Sequence, residues 1–192
     1  MSDLLRGVNL FLIGMMGSGK STIGRLLAQQ LNYRFFDTDA VIEKSAHQSI
    51  NDIFATSGET AFRTLETEVL SQLSSYMRMA IATGGGVVLE RKNWSYLRHG
   101  IVVWLDVPAD LLYERLKDDH SRPLLQSPDP QKTLEVILNQ RQSLYAQADL
   151  RIPITADETP LQITERVMQT LPTILKESTQ PTSSSEQESE SS

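Results

Sequence analysis

The 192-residue chain contains no cysteine. That absence excludes disulfides, thiol nucleophiles and cysteine-held zinc or iron–sulfur centres. The chain also lacks any apolar run near the roughly 20 residues that a bilayer-spanning helix requires. Its opening, Met1-Ser2-Asp3-Leu4-Leu5-Arg6-Gly7, has none of the basic start, long apolar stretch and cleavage site of a secretory leader. The three histidines, His47, His99 and His120, stand far apart with no ligand spacing, which argues against a zinc site. The expectation is a cytoplasmic protein with no membrane partner.

Positive charge is scarce as well. Lys and Arg number 18 against 24 Asp and Glu, giving a net charge of −6. Four of the acidic groups fall within residues 177–192, a segment with no basic, aliphatic or aromatic residue. Such a segment cannot bury enough surface to offset its ordering entropy, so a disordered acidic, serine-rich tail is expected there. Residues 1–176 then carry 18 basic and 20 acidic groups. That near-neutral balance gives no bulk attraction to nucleic acid or anionic membrane, so any anion binding must come from a local cluster. The length suits one domain with a real core.

What is present is an alternation of strand and helix patterns. Val8 to Ile13 is a short apolar run ending at glycine, and Ile23, Leu26, Leu27 and Leu31 recur at helical spacing from Lys20. Tyr33–Phe36 reads as a strand running into Asp37-Thr38-Asp39. Helical patterns follow over 40–44 and 58–76, then strands at 79–82 and 100–105. Pro108 opens a helix to Leu116, and a polar stretch over 117–130 interrupts the pattern. It resumes as a helix over 131–146, a strand over 150–154 and a closing helix over 160–175. Strands alternating with helices predict an α/β fold with a parallel sheet covered on both faces. Ligands of such sheets bind beyond the carboxyl ends of the strands. The loops after Ile13, Phe36 and Ala82 would lie there.

The first of these loops, Gly14-Met15-Met16-Gly17-Ser18-Gly19-Lys20-Ser21, matches G-x-x-x-x-G-K-[ST] in full. Glycines let the backbone curl so that several N–H groups face one anion, and the following helix adds its positive dipole end. Lys20 would reach the outer phosphates, Ser21 would bind Mg²⁺, and Thr22 extends the hydroxyl-bearing start. The pattern predicts nucleotide binding and does not say how the nucleotide is used.

The later loops suggest an acceptor. Asp37 and Asp39, as residues i and i+2 of a strand, would share a face above the phosphate loop. One would serve Mg²⁺ and the other an acceptor hydroxyl. The ordinary alternative is a turn in which Asp39 caps the next helix. Arg63 has Glu66 at i+3, able to hold the guanidinium for bidentate capture of a carboxylate. Gly84-Gly85-Gly86 lets backbone approach a small molecule closely. Arg122, in the polar interruption, could close over phosphates on a mobile lid. Met15, Met16, Met77 and Met79 read as packing residues, Trp94 as a helix surface and Trp104 as strand core. Asp106 reads as a helix-start residue before Pro108.

Taken in order, G-M-M-G-S-G-K-S-T, D-T-D, G-E-x-x-F-R, T-G-G-G, R-P-L-L and R-x-x-L-Y resemble the shikimate kinase family from about Leu10 to Leu175. The resemblance implies a P-loop, nucleoside-monophosphate-kinase-like fold: a five-stranded parallel sheet flanked by helices, with a lid at about 117–130. It implies ATP-dependent, Mg²⁺-assisted phosphorylation of the 3-hydroxyl of shikimate, on the route to chorismate and aromatic amino acids. By this resemblance Gly17, Ser18, Gly19, Lys20, Ser21 and Thr22 cradle the nucleotide. Arg115 lies against the adenine, and Ser21 and Asp37 serve the metal. Asp39 holds the shikimate hydroxyls and acts as base, and Arg63 and Arg141 take the carboxylate. Phe54, Phe62 and Gly84 to Gly86 wall the pocket, and Arg122 stabilises the transferring phosphoryl group. The loop Thr155 to Pro160 is acidic where some members carry arginine, leaving only Pro160 as an adenine neighbour. A monomer is expected. A gluconate kinase would share the loop and fold but lack the G-E-x-x-F-R and R-P-L-L pair. A silent nucleotide-binding homologue would be expected to have lost Asp39 or Arg122.

Overall fold

The structure, a computed structural model, describes residues 4–119 and 127–177. His120, Arg122 and the acidic tail lie outside the described residues. Five parallel strands make one sheet: β1 (Asn9–Ile13), β2 (Arg34–Asp37), β3 (Met79–Ala82), β4 (Gly100–Asp106) and β5 (Leu150–Pro153), in the order β2-β3-β1-β4-β5. Every residue of β1 and β3 is buried. Such unbroken apolar strands are what a sheet covered on both faces requires. In the register, Leu12 stands beside Ala82 on one side and Val103 on the other. The strands leave β1 in both directions, so its carboxyl end is the switch point at which α/β sheets bind ligands.

Among the described residues six α-helices connect these strands, α1 (Lys20–Leu31), α2 (Thr38–Ala46), α3 (Ile50–Ser74), α4 (Arg91–Leu97), α5 (Ala109–Leu116) and α6 (Pro130–Tyr145), and α7 (Pro160–Glu177) follows the last strand. In α1 the buried face holds Ile23, Leu27 and Ala28, and the helix stops at Asn32 in the left-handed conformation with its N–H turned back on Ala28 and Gln29. Helix α7 packs beside α1, and α5 packs against α6.

Several expectations need correction. Asp37 and Asp39 do not share a strand face. Asp37 ends β2 and caps α2, its Oδ1 accepting from the Asp39 N–H at 3.0 Å and the Ala40 N–H at 3.4 Å. Asp39 stands in the helix's first turn. A carboxylate at the strand end captures orphan helix donors, so the helix starts at once, and the cap is Asp37 rather than Asp39. Helix α3 begins at Ile50, well before Gly58, because Ser49 Oγ accepts from the Asp52 N–H at 3.1 Å. Gly58 is instead a break inside it, with φ 81° and ψ 174°.

Trp94 is buried rather than on a helix surface, its indole N–H donating to the Val88 carbonyl at 3.2 Å. Trp104 sits in the strand core as expected. Met15 and Met79 are buried, whereas Met77 is 67 % exposed and packs little. Asp106 is the last residue of β4 and pairs with Arg151 at 2.6 Å, so it starts no helix.

Candidate active site

Beyond the carboxyl ends of β1, β2 and β3 lies a cleft of about 970 Å³. Of the site residues named above that fall among the described residues, all but Ser18 and Pro160 line it. Two half-sites meet there, one built by the loop after β1 and the other by α2, α3, α6 and the loop after β3.

In the phosphate loop, Gly14, Gly17 and Gly19 have φ of 139°, 75° and 92°, a curl that side chains resist. Gly19 precedes α1 and no side chain caps that helix. Its first N–H groups and dipole end therefore face the cleft as an anion site. Lys20 is buried, and its Nζ donates to the Gly14 carbonyl at 2.9 Å, the Met15 carbonyl at 2.7 Å and Ser18 Oγ at 3.3 Å. A buried ammonium needs such partners, and the loop's own carbonyls and hydroxyl supply them. The Ser18 side chain faces this lysine, so only its backbone can serve a phosphate. Arg115 closes the rim, its Nη1 donating to the Gly17 carbonyl at 3.2 Å.

Ser21 Oγ donates to Asp37 Oδ2 at 2.5 Å. A hydroxyl and a carboxylate oxygen converging beside a phosphate loop are hard ligands of the kind Mg²⁺ prefers. The donor set therefore fits that ion, which takes its remaining ligands from phosphates and water.

On the acceptor side, Arg63 Nη1 donates to Glu66 Oε2 at 2.7 Å, and Nη2 reaches Glu59 Oε1 at 3.2 Å. Burial lowers the guanidinium's proton affinity, but these two carboxylates outweigh it and the net shift is upward. Glu66 has no exposed surface. Burial pushes its carboxyl up, Arg63 pulls it back, and the charge of Asp39 raises it further. The glycines after Thr83 are spacers against this cluster. A Cβ on Gly86 would fall 2.3 Å from Arg63 Nη1, and one on Gly84 would fall 2.4 Å from Glu66 Oε1 and 2.9 Å from Asp39 Oδ1. Phe54 and Phe62 close the opposite wall with ring centroids 4.8 Å apart. Arg141, from α6, donates Nη1 to the Gly85 carbonyl at 3.2 Å. Two guanidiniums, one aspartate and a bare backbone wall suit a small hydroxylated carboxylate.

Two residues in this site escaped the sequence reading. Thr38, fully buried between the aspartates, accepts the Gly84 N–H on its Oγ1 at 3.0 Å and so ties D-T-D to the glycine wall. Tyr145 donates its hydroxyl to the Gly85 carbonyl at 2.5 Å. Each sits in a quoted motif, but its partner lies 46 or 60 positions away. The acidic loop after Ile154 is internally satisfied: Glu158 accepts from the Thr155 N–H at 2.9 Å and pairs with Arg166 at 3.0 Å. Pro160 opens α7 and does not line the cleft. Among the described residues no cluster of three or more His, Cys, Asp or Glu side chains could hold a metal alone, and no helix is long and apolar enough to cross a membrane.

Known proteins are similar to this chain in sequence and fold. The family model described as shikimate kinase matches residues 16–172. The shikimate kinase of Trichormus variabilis is 58 % identical over 179 residues, spanning 93 % of this chain and 99 % of its own. The structure of the shikimate kinase from Acinetobacter baumannii in complex with shikimate superposes with a TM-score of 0.83 at 37 % identity, covering 90 % of this chain and 96 % of that one. A gluconokinase from Sinorhizobium meliloti, at 15 % identity and a TM-score of 0.53 over 89 % of this chain and 95 % of its own, shares the fold alone. A match across residues 16–172, with such identity to a relative of the same length, leaves one assignment: the chain belongs to the shikimate kinase family.

Proposed function

We propose that the protein transfers the γ-phosphoryl group of ATP to the 3-hydroxyl of shikimate, giving shikimate 3-phosphate and ADP for aromatic amino acid biosynthesis. The observation that carries this reading is the facing of the two half-sites. An arginine pair built for a carboxylate opens into the same cleft as the phosphate loop, and Asp39 lines that cleft with them.

In this reading Arg63, oriented by Glu66, and Arg141 take the shikimate carboxylate. Asp39 accepts hydrogen bonds from the ring hydroxyls and receives the proton of the attacking one. The new bond joins that oxygen to the γ-phosphorus, and the bond to the β,γ-bridging oxygen breaks. Such transfer needs positioning and positive charge more than covalent help. Lys20 and the α1 N-terminus supply charge, and Arg122, outside the described residues, would add its own from a lid over residues 117–130. Ser21 and Asp37 would hold Mg²⁺, which neutralises phosphate charge when bound. Gly17, Gly19, Thr22 and Arg115 complete the nucleotide side. Phe54, Phe62 and the Gly84–Gly86 backbone exclude water on the acceptor side. Residues 1–176 act as one kinase domain. Both half-sites come from a single chain, which supports a monomer whose partners are small molecules, and the cytoplasm is the compartment proposed for it.

A coupled assay of ADP release, with shikimate, gluconate and nucleoside monophosphates as acceptors, tests the reading. Shikimate should give turnover well above the ATP-only background, and the others little. Turnover with gluconate but none with shikimate would sink it.

A further inference from the structure

Tyr145 ends α6 and has no exposed surface. Its ring stacks on Trp104 of β4, centroids 5.8 Å apart at 24°, so the phenol is anchored to the sheet. Its hydroxyl points out of that core and donates to the carbonyl of Gly85, the middle residue of the glycine wall. Arg141 lies one helical turn earlier and on the same face, and its Nη1 donates to the same carbonyl. Gly85 is itself wedged between the half-sites, since a Cβ there would fall 3.2 Å from the Met16 backbone nitrogen. Burial pushes the Tyr145 hydroxyl's pKa up, keeping it a proton donor.

We propose that Tyr145 is a positioning residue of the acceptor site: by pinning the Gly85 carbonyl it fixes the glycine wall and lets Arg141 serve the substrate carboxylate. The inference rests on reading Arg141 and Gly84–Gly86 as the acceptor pocket. Without the phenol, Arg141 becomes the main donor to a part-buried carbonyl. Every excursion toward a carboxylate then strips that carbonyl, and an unmet buried acceptor is costly. A tyrosine kept for core packing alone would not act through Arg141.

Tyr145→Phe keeps the ring and its stacking and removes the donor. It should raise the shikimate KM about tenfold, a change of about 1.4 kcal/mol, while the ATP KM stays within about twofold. Installing 4-aminophenylalanine at 145, which restores a donor, should recover most of the loss. In an Arg141→Ala background the same Tyr145→Phe change should move the shikimate KM by less than about threefold, because part of its effect runs through Arg141. A rise shared equally by both substrates, or an undiminished tenfold effect without Arg141, overturns the proposal. If the Phe variant does not fold, exchange of the Tyr145 hydroxyl proton in the wild-type protein decides the matter. Shikimate should slow that exchange and a non-hydrolysable ATP analogue alone should not, whereas equal slowing by both overturns the role. Wild-type turnover with shikimate is the control that separates failure of this proposal from failure of the functional reading.

Discussion

Glu66 has no exposed surface, one oxygen on Arg63 and the other with no hydrogen-bond partner among the described residues. Its sequence position beside Arg63 announces an ion pair, and the distance of 2.7 Å bears that out. What the sequence does not carry is the burial, which makes the pair a constraint on the arginine rather than a solvated helix contact. The cost of burying that charge has a pH signature. The folded-state pKa lies above the ordinary glutamate value, chiefly through desolvation. Above that pH the native state therefore holds more proton than the unfolded chain, and stability falls as pH rises through the window between the two pKa values. Glu66→Gln removes this titration and keeps the shape. Urea midpoints of the two proteins should diverge against the wild type as pH is raised from about 4 to 7. A gap that stays constant, or moves in the wild type's favour, would show that Arg63 rather than burial dominates the carboxyl.

At the scale of elements, α1 and β3 were readable to the residue, because a buried strand reads as an apolar run and a packed helix shows its period. Helix α3 was half missed. Its start was available in Ser49 and Asp52, but Gly58 looks like a beginning when it is an interruption. The break has a function in packing. In a straight helix Phe54 and Phe62 would stand about 12 Å apart along the axis, yet their rings meet at 4.8 Å to form one wall of the cleft. Gly58→Ala puts its Cβ in open space, but φ 81° with ψ 174° is backbone that essentially only glycine adopts, which costs a side chain about 1–3 kcal/mol. Stability should fall by about that amount, and the shikimate KM should rise several-fold as the phenylalanines part. Urea unfolding and steady-state kinetics check both. An increase in stability, as expected for glycine to alanine in a regular helix, would mean that the break is incidental.

Across the whole molecule, β1 separates two sets of strands and its loop faces two sets of ligands. The nucleotide half was legible because one local motif contains it. The acceptor half is assembled from α2, α3, α6 and the loop after β3, so only the joint order of short motifs revealed it. No spacing rule could have placed the Thr38 hydroxyl on the Gly84 N–H. This division predicts separable stabilisation. A ligand at about 100 times its Kd stabilises the native state by about 2.7 kcal/mol, and for a chain of this size that is a Tm rise of about 5–10 °C. Shikimate and a non-hydrolysable ATP analogue should each produce such a shift in the wild type. Arg63→Ala removes a charge-assisted contact to the carboxylate and should weaken shikimate about 10- to 100-fold. At the upper end, the same shikimate concentration leaves only about 0.4 kcal/mol, a shift near 1 °C, while the nucleotide shift is retained. Thermal melts of both proteins with each ligand give the four values. If Arg63→Ala lost both shifts together, the arginine would be holding up the cleft as a whole, and its assignment to the acceptor half would fall.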